Sequence, residues 1–274
     1  MKQLSKKKFS PFVIAEIGIN HMGSLNLAKK LIISAARAGV SAVKFQTYIT
    51  ERRVKENSPI FKILKKCELR FKDFKILQQV AKRNNVEFFS TPFDEESFRY
   101  LHSIGVKKIK IASFDVVNYK FLKFMSNFKK TFILSVGMSR IGEIKKAYKI
   151  LSNNGKNKIF LLHCISSYPT KEKDSNLACI ESLKKIFKCP IGISDHTNDI
   201  FVPFCAAAQG AGIIEKHYKI DNKMKCVDSS VSITEKQMKK LIKTLRRAEI
   251  CHGTAKFGIR KNEKPFKAFR RFSK

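Results

Sequence analysis

Short apolar runs of strand length alternate with segments of helical period along most of this 274-residue chain. Apolar runs of four to eight residues between turn signals are typical of buried strands, and apolar residues three or four positions apart indicate amphipathic helices. The predicted strands are 12–19, 42–48, 86–91, 108–112, 131–136, 159–164, 191–194 and 213–218. This alternation predicts parallel strands joined by helices.

Four apolar stripes show the helical period clearly. They are Leu27, Leu31, Ala35 and Ala38; Phe74, Leu77, Val80 and Ala81; Ile144, Ala147 and Leu151; and Met238, Leu241, Ile242 and Leu245. Eight strand–helix units within about 250 residues predict an α/β fold, a (β/α)8 TIM barrel. An open doubly wound sheet is the alternative, and it is weakened because no G-x-G-x-x-G follows the first strand. The predicted barrel domain is 1–253, and 254–274 is predicted to be a basic tail without strand or helix period.

Composition limits the class of protein. With 43% hydrophobic residues the chain can bury a sizeable core, and no run of eighteen apolar residues predicts a transmembrane helix. The basic residues 1–8 are not followed by a signal-peptide core, because Glu16 interrupts the apolar run after them. Seven scattered cysteines without a CxxC pair favour reduced thiols. We therefore expect a cytoplasmic protein.

The net charge of +34 is compatible with nucleic acid, an anionic membrane or anionic substrates as partners. The excess is mostly lysine spread along the chain, which is typical of solvated helix faces. Only the segment 256–274 interleaves basic and aromatic residues. Nucleic acid is therefore not the predicted main partner. A degenerate barrel with a basic binding surface stays open as an alternative, and its affinity would fall steeply with salt.

Polar residues gather near the predicted carboxyl ends of the strands, where the active sites of β/α barrels lie. They include Glu16, Lys44, Gln46, Ser90, Thr91, Lys110, Ser113, Ser135, His163, Tyr168, Ser194, Asp195, His196, Glu215, Lys216 and His217. Burying so many polar groups costs several kcal/mol, about 2–7 for each unpaired group, unless they serve one another or a ligand. Two simpler interpretations stay open: Lys44 and Glu16 only neutralise each other, and His163 is a core histidine.

His196 and His217 end adjacent strands, so both rings are positioned to bind one divalent ion. Two imidazoles with carboxylate or water suit manganese, iron, cobalt or zinc. Lys44 and Lys110, on different strands, supply positive charge for a phosphate or carboxylate. Asp195 is expected either to orient its neighbours or to cap a helix after strand seven.

Eight stretches together resemble the sialic acid synthase family, which includes N-acetylneuraminate, legionaminic and pseudaminic acid synthases and spore-coat polysaccharide synthases. The stretches are FVIAEIGINHMGSLNLAKKLI, AGVSAVKFQTY, EFFSTPFDEES, IKIAS, ILSVGMSRIGEI, LLHCISSYPT, PIGISDHT and IIEKHYKID. They follow the family's order from about Phe12 to Gly253. The resemblance implies a metal-dependent β/α barrel that condenses phosphoenolpyruvate with an N-acetylated amino sugar, releasing phosphate and a nonulosonic acid.

The resemblance also implies roles for particular residues. His196 and His217 match metal ligands, for which Mn²⁺ is expected, with Mg²⁺ or Co²⁺ as alternatives. Lys44, Lys110, Ser113, Ser135 and Ser194 match positions that hold phosphoenolpyruvate, and Glu16 matches a carboxylate at the reacting centre. Gln46, Thr91 and Tyr168 match the substrate pocket, Asp228 matches a residue that grips sugar hydroxyls, and Asn57 matches a loop residue.

Three departures from the family pattern bear on the expected function. Val136 stands where the family has threonine, and Ser113-Phe114-Asp115 replaces serine-glycine-glutamate, which alters the contact expected from Asp115. The family's C-terminal antifreeze-like domain, which contacts the sugar's N-acyl group in a partner subunit, has no counterpart before residue 274. Three explanations stay open: the domain is a separate chain, it was lost, or the sequence is a fragment. A homodimer and a separate chain carrying that domain are the corresponding candidate partners. The alternative activities are a 3-deoxy-sugar-acid synthase acting on a phosphorylated sugar and a Schiff-base aldolase using Lys44 or Lys110.

Overall fold

Eight parallel strands close into a barrel in chain order, with β8 paired to β1. The structure is a computed structural model that describes residues 11–252 and 257–271. The strands are β1 (Phe12–Gly18), β2 (Ala42–Thr47), β3 (Glu87–Pro92), β4 (Lys108–Ile111), β5 (Thr131–Ser135), β6 (Lys158–Cys164), β7 (Ile191–Asp195) and β8 (Ile213–His217). The predicted barrel is confirmed, and the predicted strand ends differ from the observed ones by at most one residue.

Helices surround this barrel and connect its strands. They are α1 (Leu25–Ala38), α2 (Thr50–Arg53), α3 (Phe61–Cys67), α4 (Phe71–Arg83), α5 (Glu95–Ser103), α6 (Tyr119–Ser126), α7 (Ile141–Ser152), α8 (Ala178–Ile186), α9 (Phe201–Ala208) and α10 (Glu235–His252). Helix α1 begins where the Ser24 side chain accepts a hydrogen bond from the Leu27 backbone, and it ends at Gly39 in the left-handed conformation. The four predicted stripes lie on α1, α4, α7 and α10.

The main core lies between the strands and the helices. Leu31 and Ala35 of α1, Leu77 of α4 and Leu241 of α10 are fully buried against the outer faces of the strands. Parallel strands that are covered in this way read as nearly continuous apolar runs. Polar residues within these strands indicate a site, because a charged side chain inside the barrel needs a partner.

A second, smaller cluster lies beyond the carboxyl ends of β1 and β2, and we call it the rim cluster. Ile19, Tyr48, Leu64 and Cys67 form it, and Phe93 packs against it. Helix α3 supplies Leu64 and Cys67, and the hydroxyl of Tyr48 donates to the Leu64 carbonyl at 2.9 Å. The connection from β2 to α4 is thereby fixed over the mouth of the barrel.

The predicted tail lies partly outside the described residues, as do the predicted domain boundary at 253/254 and the basic residues 1–8. The described part of the tail contains an exposed 3₁₀ helix, Lys261–Phe269. The prediction concerned the absence of a strand or helix period, and the assignment of 254–274 as a tail stays a prediction. A 3₁₀ turn needs no apolar stripe, so the sequence pattern gave no sign of it. Among the described residues, no helix has the length and apolar character needed to cross a membrane.

Candidate active site

A cavity of about 380 Å³ opens at the carboxyl ends of the strands. Twelve residues predicted to form the site line it: Glu16, Lys44, Gln46, Thr91, Lys110, Ser113, Ser135, Tyr168, Ser194, His196, His217 and Asp228. Strand register explains part of this gathering, because Glu16 of β1 lies opposite Lys44 of β2 on one side and His217 of β8 on the other. Residues far apart in the sequence are thus brought to one level of the barrel.

Four buried charges form a chain across the floor of the cavity. Lys44 Nζ lies 2.7 Å from Glu16 Oε2 and 3.8 Å from Glu215 Oε2. Lys110 Nζ lies 3.2 Å from Glu215 Oε1. All four side chains are almost completely buried, so two cations and two carboxylates balance one another in the low-dielectric interior. The ion pair considered for Lys44 and Glu16 is present, and Lys110 and Glu215 form a second pair beside it.

The two carboxylates have different environments. Burial raises the pKa of Glu16, although the charge of Lys44 opposes this shift. Burial also acts to raise the pKa of Glu215, but the charges of Lys110 and Lys44 outweigh it and hold that pKa below its usual value. Burial lowers the pKa of Lys110, with Glu215 opposing. Glu215 is therefore a counter-charge shared by Lys110 and Lys44, whereas Glu16 is the nearer partner of Lys44.

Three serine hydroxyls lie beside these charges. Ser194 donates to Glu215 Oε1 at 2.9 Å, and Ser113 Oγ accepts from the Gly137 backbone N–H at 3.0 Å. Ser135 Oγ is buried and has no hydrogen-bond partner among the residues that the structure describes. Ser135 lines the same cavity as Lys44 and Lys110, so its hydroxyl is a donor available to an anionic ligand. A buried hydroxyl without a hydrogen bond is costly, which favours a ligand that supplies the acceptor.

Gly137 is required for this arrangement because the chain passes very close to its neighbours. A Cβ atom there would lie 2.7 Å from Ser166 Oγ, 2.8 Å from the Cys164 carbonyl oxygen and 3.0 Å from Ser113 Oγ. We expect Gly137→Ala to lower the free energy of unfolding by about 1–3 kcal/mol through overpacking, measured by urea denaturation. Gly142→Ala is the matched control, because its Cβ would meet nothing within 4 Å inside α7. The control should be neutral or stabilising by up to about 1 kcal/mol, and an equal loss in both variants would contradict the explanation.

His196 and His217 face the same cavity with ring centroids 5.4 Å apart. His196 Nδ1 donates to the Ile165 carbonyl oxygen at 2.7 Å, and His217 Nδ1 lies 3.3 Å from Asp228 Oδ2. The Tyr168 ring stacks on His196 at 4.1 Å. Burial, with the nearby His217, lowers the pKa of His196 to about 3, so its ring is neutral.

This arrangement fits a divalent metal ion. Metal-binding histidines commonly hold the far ring nitrogen with a carbonyl or carboxylate, which leaves Nε2 as the ligand. His196 has such a partner at Nδ1, whereas His217 Nδ1 lies 3.3 Å from Asp228 Oδ2 and makes no hydrogen bond among the described residues. Within residues 11–252 and 257–271, no group of three or more His, Cys, Asp or Glu side chains is arranged to hold a metal. The protein ligands available at this point are therefore the two imidazoles.

Two polar residues near the site have structural roles. Asp195 Oδ2 lies 2.6 Å from Lys216 Nζ and accepts from Thr197 Oγ1 at 2.7 Å, so it orients its neighbours, and a cap after β7 is not its role. His163 Nε2 pairs with the Ser175 carbonyl at 2.8 Å, which confirms a satisfied core histidine. Lys216 and His163 do not line the main cavity.

Two predicted site residues are not among those lining the cavity. Asn57 is exposed in the connection after α2, and Asp115 accepts from the Asn118 side chain at 3.2 Å. Conversely, Glu215 and Arg53 line the cavity but were not singled out as site residues. Glu215 directly precedes Lys216 and His217 on a predicted strand, which was the sequence signal for a site residue. The structure pairs it in register with Ser194 of β7.

The NeuB family profile matches residues 31–257. The N,N'-diacetyllegionaminic acid synthase of Legionella pneumophila is 36% identical and covers 96% of this chain and 79% of its own length. The synthase of the same name from Campylobacter jejuni is 38% identical and covers 92% of this chain and 79% of its own.

A solved structure agrees with these sequence relatives. The crystal structure of N-acetylneuraminic acid (sialic acid) synthetase from Leptospira borgpetersenii has a TM-score of 0.90 and 39% identity, covering 95% of this chain and 91% of that one. These proteins are named as synthases, which confirms both the predicted resemblance and the prediction of an enzyme. Profile, sequence identity and barrel agree, and this chain belongs to the NeuB family.

Proposed function

We propose that this protein condenses phosphoenolpyruvate with an N-acetylated amino sugar to give a nonulosonic acid and phosphate. The observation that carries the proposal is the pairing, in one cavity, of a lysine-rich anion site with two metal-competent histidines. Its relatives named as legionaminic and sialic acid synthases support the same reaction class. The cavity of about 380 Å³ lies within the range usual for small-molecule sites.

Phosphoenolpyruvate is the ligand proposed for the anion half of the cavity. Lys44 and Lys110 hold its phosphate and carboxylate, and the hydroxyls of Ser135 and Ser194 donate to the same oxygens. The hydroxyl of Ser135 supports this role, because it needs an acceptor that none of the described residues supplies. Binding requires Glu215 to release part of its contact with the lysines, so the anion replaces an internal partner.

The amino sugar is proposed to bind above, in its open-chain aldehyde form. Asp228 accepts hydrogen bonds from sugar hydroxyls and orients His217, while Gln46, Thr91 and Tyr168 line the space around the chain. His196 and His217 would hold a divalent ion, Mn²⁺ by expectation. When bound there, such an ion supplies Lewis-acid polarisation of the sugar's carbonyl oxygen.

The bond changes follow from this placement. The enol C3 of phosphoenolpyruvate forms a carbon–carbon bond with the aldehyde carbon, and positive charge builds at C2. The carboxylate of Glu16 stabilises that charge electrostatically. Water then adds at C2, and the C2–oxygen bond to phosphate breaks. Lys44 and Lys110 hold the departing phosphate. Because the cavity orients both substrates, much of the entropic cost of bringing them together is already met on binding.

A phosphate-release assay tests this function. The purified protein with phosphoenolpyruvate, Mn²⁺ and a panel of N-acetylated sugars should release phosphate only when both ion and sugar are present. Chelation by EDTA should stop release, and His196→Ala should lower kcat by at least about a hundredfold. His102→Ala is the matched control, since His102 is exposed and lies outside the cavity lining.

Other outcomes distinguish the alternatives. Phosphate release only with phosphorylated sugars would indicate a 3-deoxy-sugar-acid synthase. A covalent pyruvate adduct trapped by borohydride on Lys44 or Lys110 would indicate a Schiff-base aldolase. No release with any sugar, together with binding that falls steeply with salt, would favour a basic binding protein.

A further inference from the structure

Negative charges are concentrated at one end of this barrel. All but three of the 22 Asp and Glu residues lie at the mouth end, on a strand that ends at the cavity, in a connection that follows a strand or in the first turn of a helix. The three exceptions are Glu87 at the start of β3, Glu249 near the end of α10 and Glu263 in the tail. The opposite end, where the strands begin, is therefore almost without carboxylates.

Exposed cations occupy five neighbouring connections at this opposite end. Because the strands follow one another in chain order around the barrel, the connections that lead into β3, β4, β5, β6 and β7 are adjacent in space. Glu87, the carboxylate of these connections, is already paired with Lys108. We define the basic face by six cations, all of them exposed: Lys82, Arg83, Lys107, Lys129, Lys156 and Lys188.

Hydrogen bonds join three of these connections into one platform. The side-chain nitrogens of Asn157 and Asn153 donate to the Ser126 carbonyl oxygen at 2.8 and 3.0 Å. Asn157 Oδ1 accepts from the Lys130 backbone N–H at 2.9 Å, and Lys130 Nζ donates to the Val106 carbonyl oxygen. The backbones that carry the central cations of the basic face are therefore fixed relative to one another.

Helix dipoles account for only part of this charge. The helices run opposite to the strands, so cations in their last turns are favoured at this end, and Lys82 and Arg83 in α4 fit that explanation. Lys107, Lys129 and Lys188 lie beyond the ends of their helices, where the effect of the dipole falls off. Like charges gathered without counter-charges repel one another, so an external anionic surface would stabilise them.

We propose that the basic face docks this protein on an anionic lipid membrane. Five of its six cations are lysines, which are point charges on flexible stems and suit a diffuse layer of headgroup phosphates. Single-stranded nucleic acid is instead bound by stacking on aromatic rings. Among the described residues of these five connections, no Phe or Tyr side chain is exposed. Lipid is therefore favoured over nucleic acid as the anionic partner.

Docking through the basic face leaves the mouth of the barrel in solvent. The face lies where the strands begin, and the cavity opens where they end. Substrates can then enter the cavity without release of the protein from the lipid. The proposed binding is thus additional to the proposed reaction and does not depend on it.

Cosedimentation of the full chain with vesicles tests the proposal. Phosphatidylcholine vesicles containing about 30% phosphatidylglycerol should bind the wild type, and pure phosphatidylcholine should not. Raising NaCl from about 0.05 to about 0.3 M should weaken binding by at least about tenfold, because salt screens exposed charges. Removing four lysines of the basic face together should weaken binding at low salt by at least about tenfold. This variant combines Lys82→Gln, Lys107→Gln, Lys129→Gln and Lys188→Gln.

A matched control removes the same number of charges from the mouth half. It combines Lys62→Gln, Lys145→Gln, Lys236→Gln and Lys240→Gln, all at exposed positions in the first parts of α3, α7 and α10. Its affinity should stay within about threefold of the wild type, because these charges face away from the lipid. The rest of the sequence is identical in the two variants, so the tail cannot explain a difference between them.

Amine labelling of the wild type gives a second readout that needs no variant. On anionic vesicles, Lys107 and Lys129 should be protected from an amine-reactive reagent by at least about threefold, while Lys62 and Lys145 should react as in free protein. The reverse pattern, or no protection at either end, would overturn the proposal.

The remaining outcomes are equally decisive. Equal weakening in the two fourfold variants would overturn the proposal, since overall charge would then explain binding. Wild type that binds single-stranded RNA but no anionic vesicle would overturn it in favour of a nucleic-acid surface. Protein that binds vesicles through the basic face but releases no phosphate with any sugar would contradict the proposed function and leave this inference standing.

Discussion

Replacing Lys216 by methionine should lower the free energy of unfolding by about 3–5 kcal/mol, the cost of leaving one member of a buried ion pair alone. Lys216 is fully buried, lies 2.6 Å from Asp195 and also donates to the Thr197 carbonyl oxygen. Urea denaturation measures the change. Adding Asp195→Asn to Lys216→Met should recover part of the loss, because the stranded carboxylate is then removed.

Lys185→Met is the matched control for this experiment. Lys185 pairs with Glu181 one helical turn away in α8, and both side chains are about 70% exposed, at 74% and 69%. Water and salt screen such a pair, so its removal should not change the unfolding midpoint measurably. A Lys216→Met variant as stable as the control would contradict the buried-pair explanation.

Replacing Lys110 by methionine should reduce kcat/KM for phosphoenolpyruvate by at least about a hundredfold. The variant removes one of two cations proposed to hold the substrate, and it also leaves Glu215 without its 3.2 Å partner. Stability should therefore fall as well, by about 2–5 kcal/mol. Steady-state phosphate release and urea denaturation measure the two effects separately.

The double variant Lys110→Met with Glu215→Gln separates structure from chemistry. Neutralising Glu215 should restore at least half of the lost stability, because no unpaired carboxylate then remains at that position. Activity should stay low, since the anion site still lacks its cation. Recovery of activity together with stability would mean that Lys110 serves only to balance Glu215, and the proposed substrate contact would be wrong.

The barrel was predictable because its signals are repeated and local. Each strand is a short apolar run, and stripes such as Leu31 and Ala35 recur with the helical period. The order of the strands then follows from the fold class, which in turn brings Lys44 and His217 to the same end. Many of the residues that line the cavity lie in the family motifs, because those motifs cover the carboxyl ends of the strands.

The other features of the site were not predictable from the sequence, because they depend on where short connecting segments lie relative to the strand ends. Arg53 and Leu64 lie on α2 and α3, helices of four and seven residues that are too short to show a clear period. Glu215 reads as one more polar strand residue until its separation from Lys44 and Lys110 is known. Asn57 and Asp115 match the family in sequence position, yet the turns that carry them do not bring them to the cavity lining.

The two halves of the cavity are built from different parts of the chain. The charges and hydroxyls of the anion half sit on strand ends within the barrel, where each is fixed by register with its neighbours. Much of the wall beside Arg53 is carried by the single connection between β2 and α4. Under the proposed function, substitutions confined to that one connection are expected to change which sugar binds, while the residues at the strand ends stay unchanged. Grafting residues 48–70 from a relative is the corresponding route for engineering.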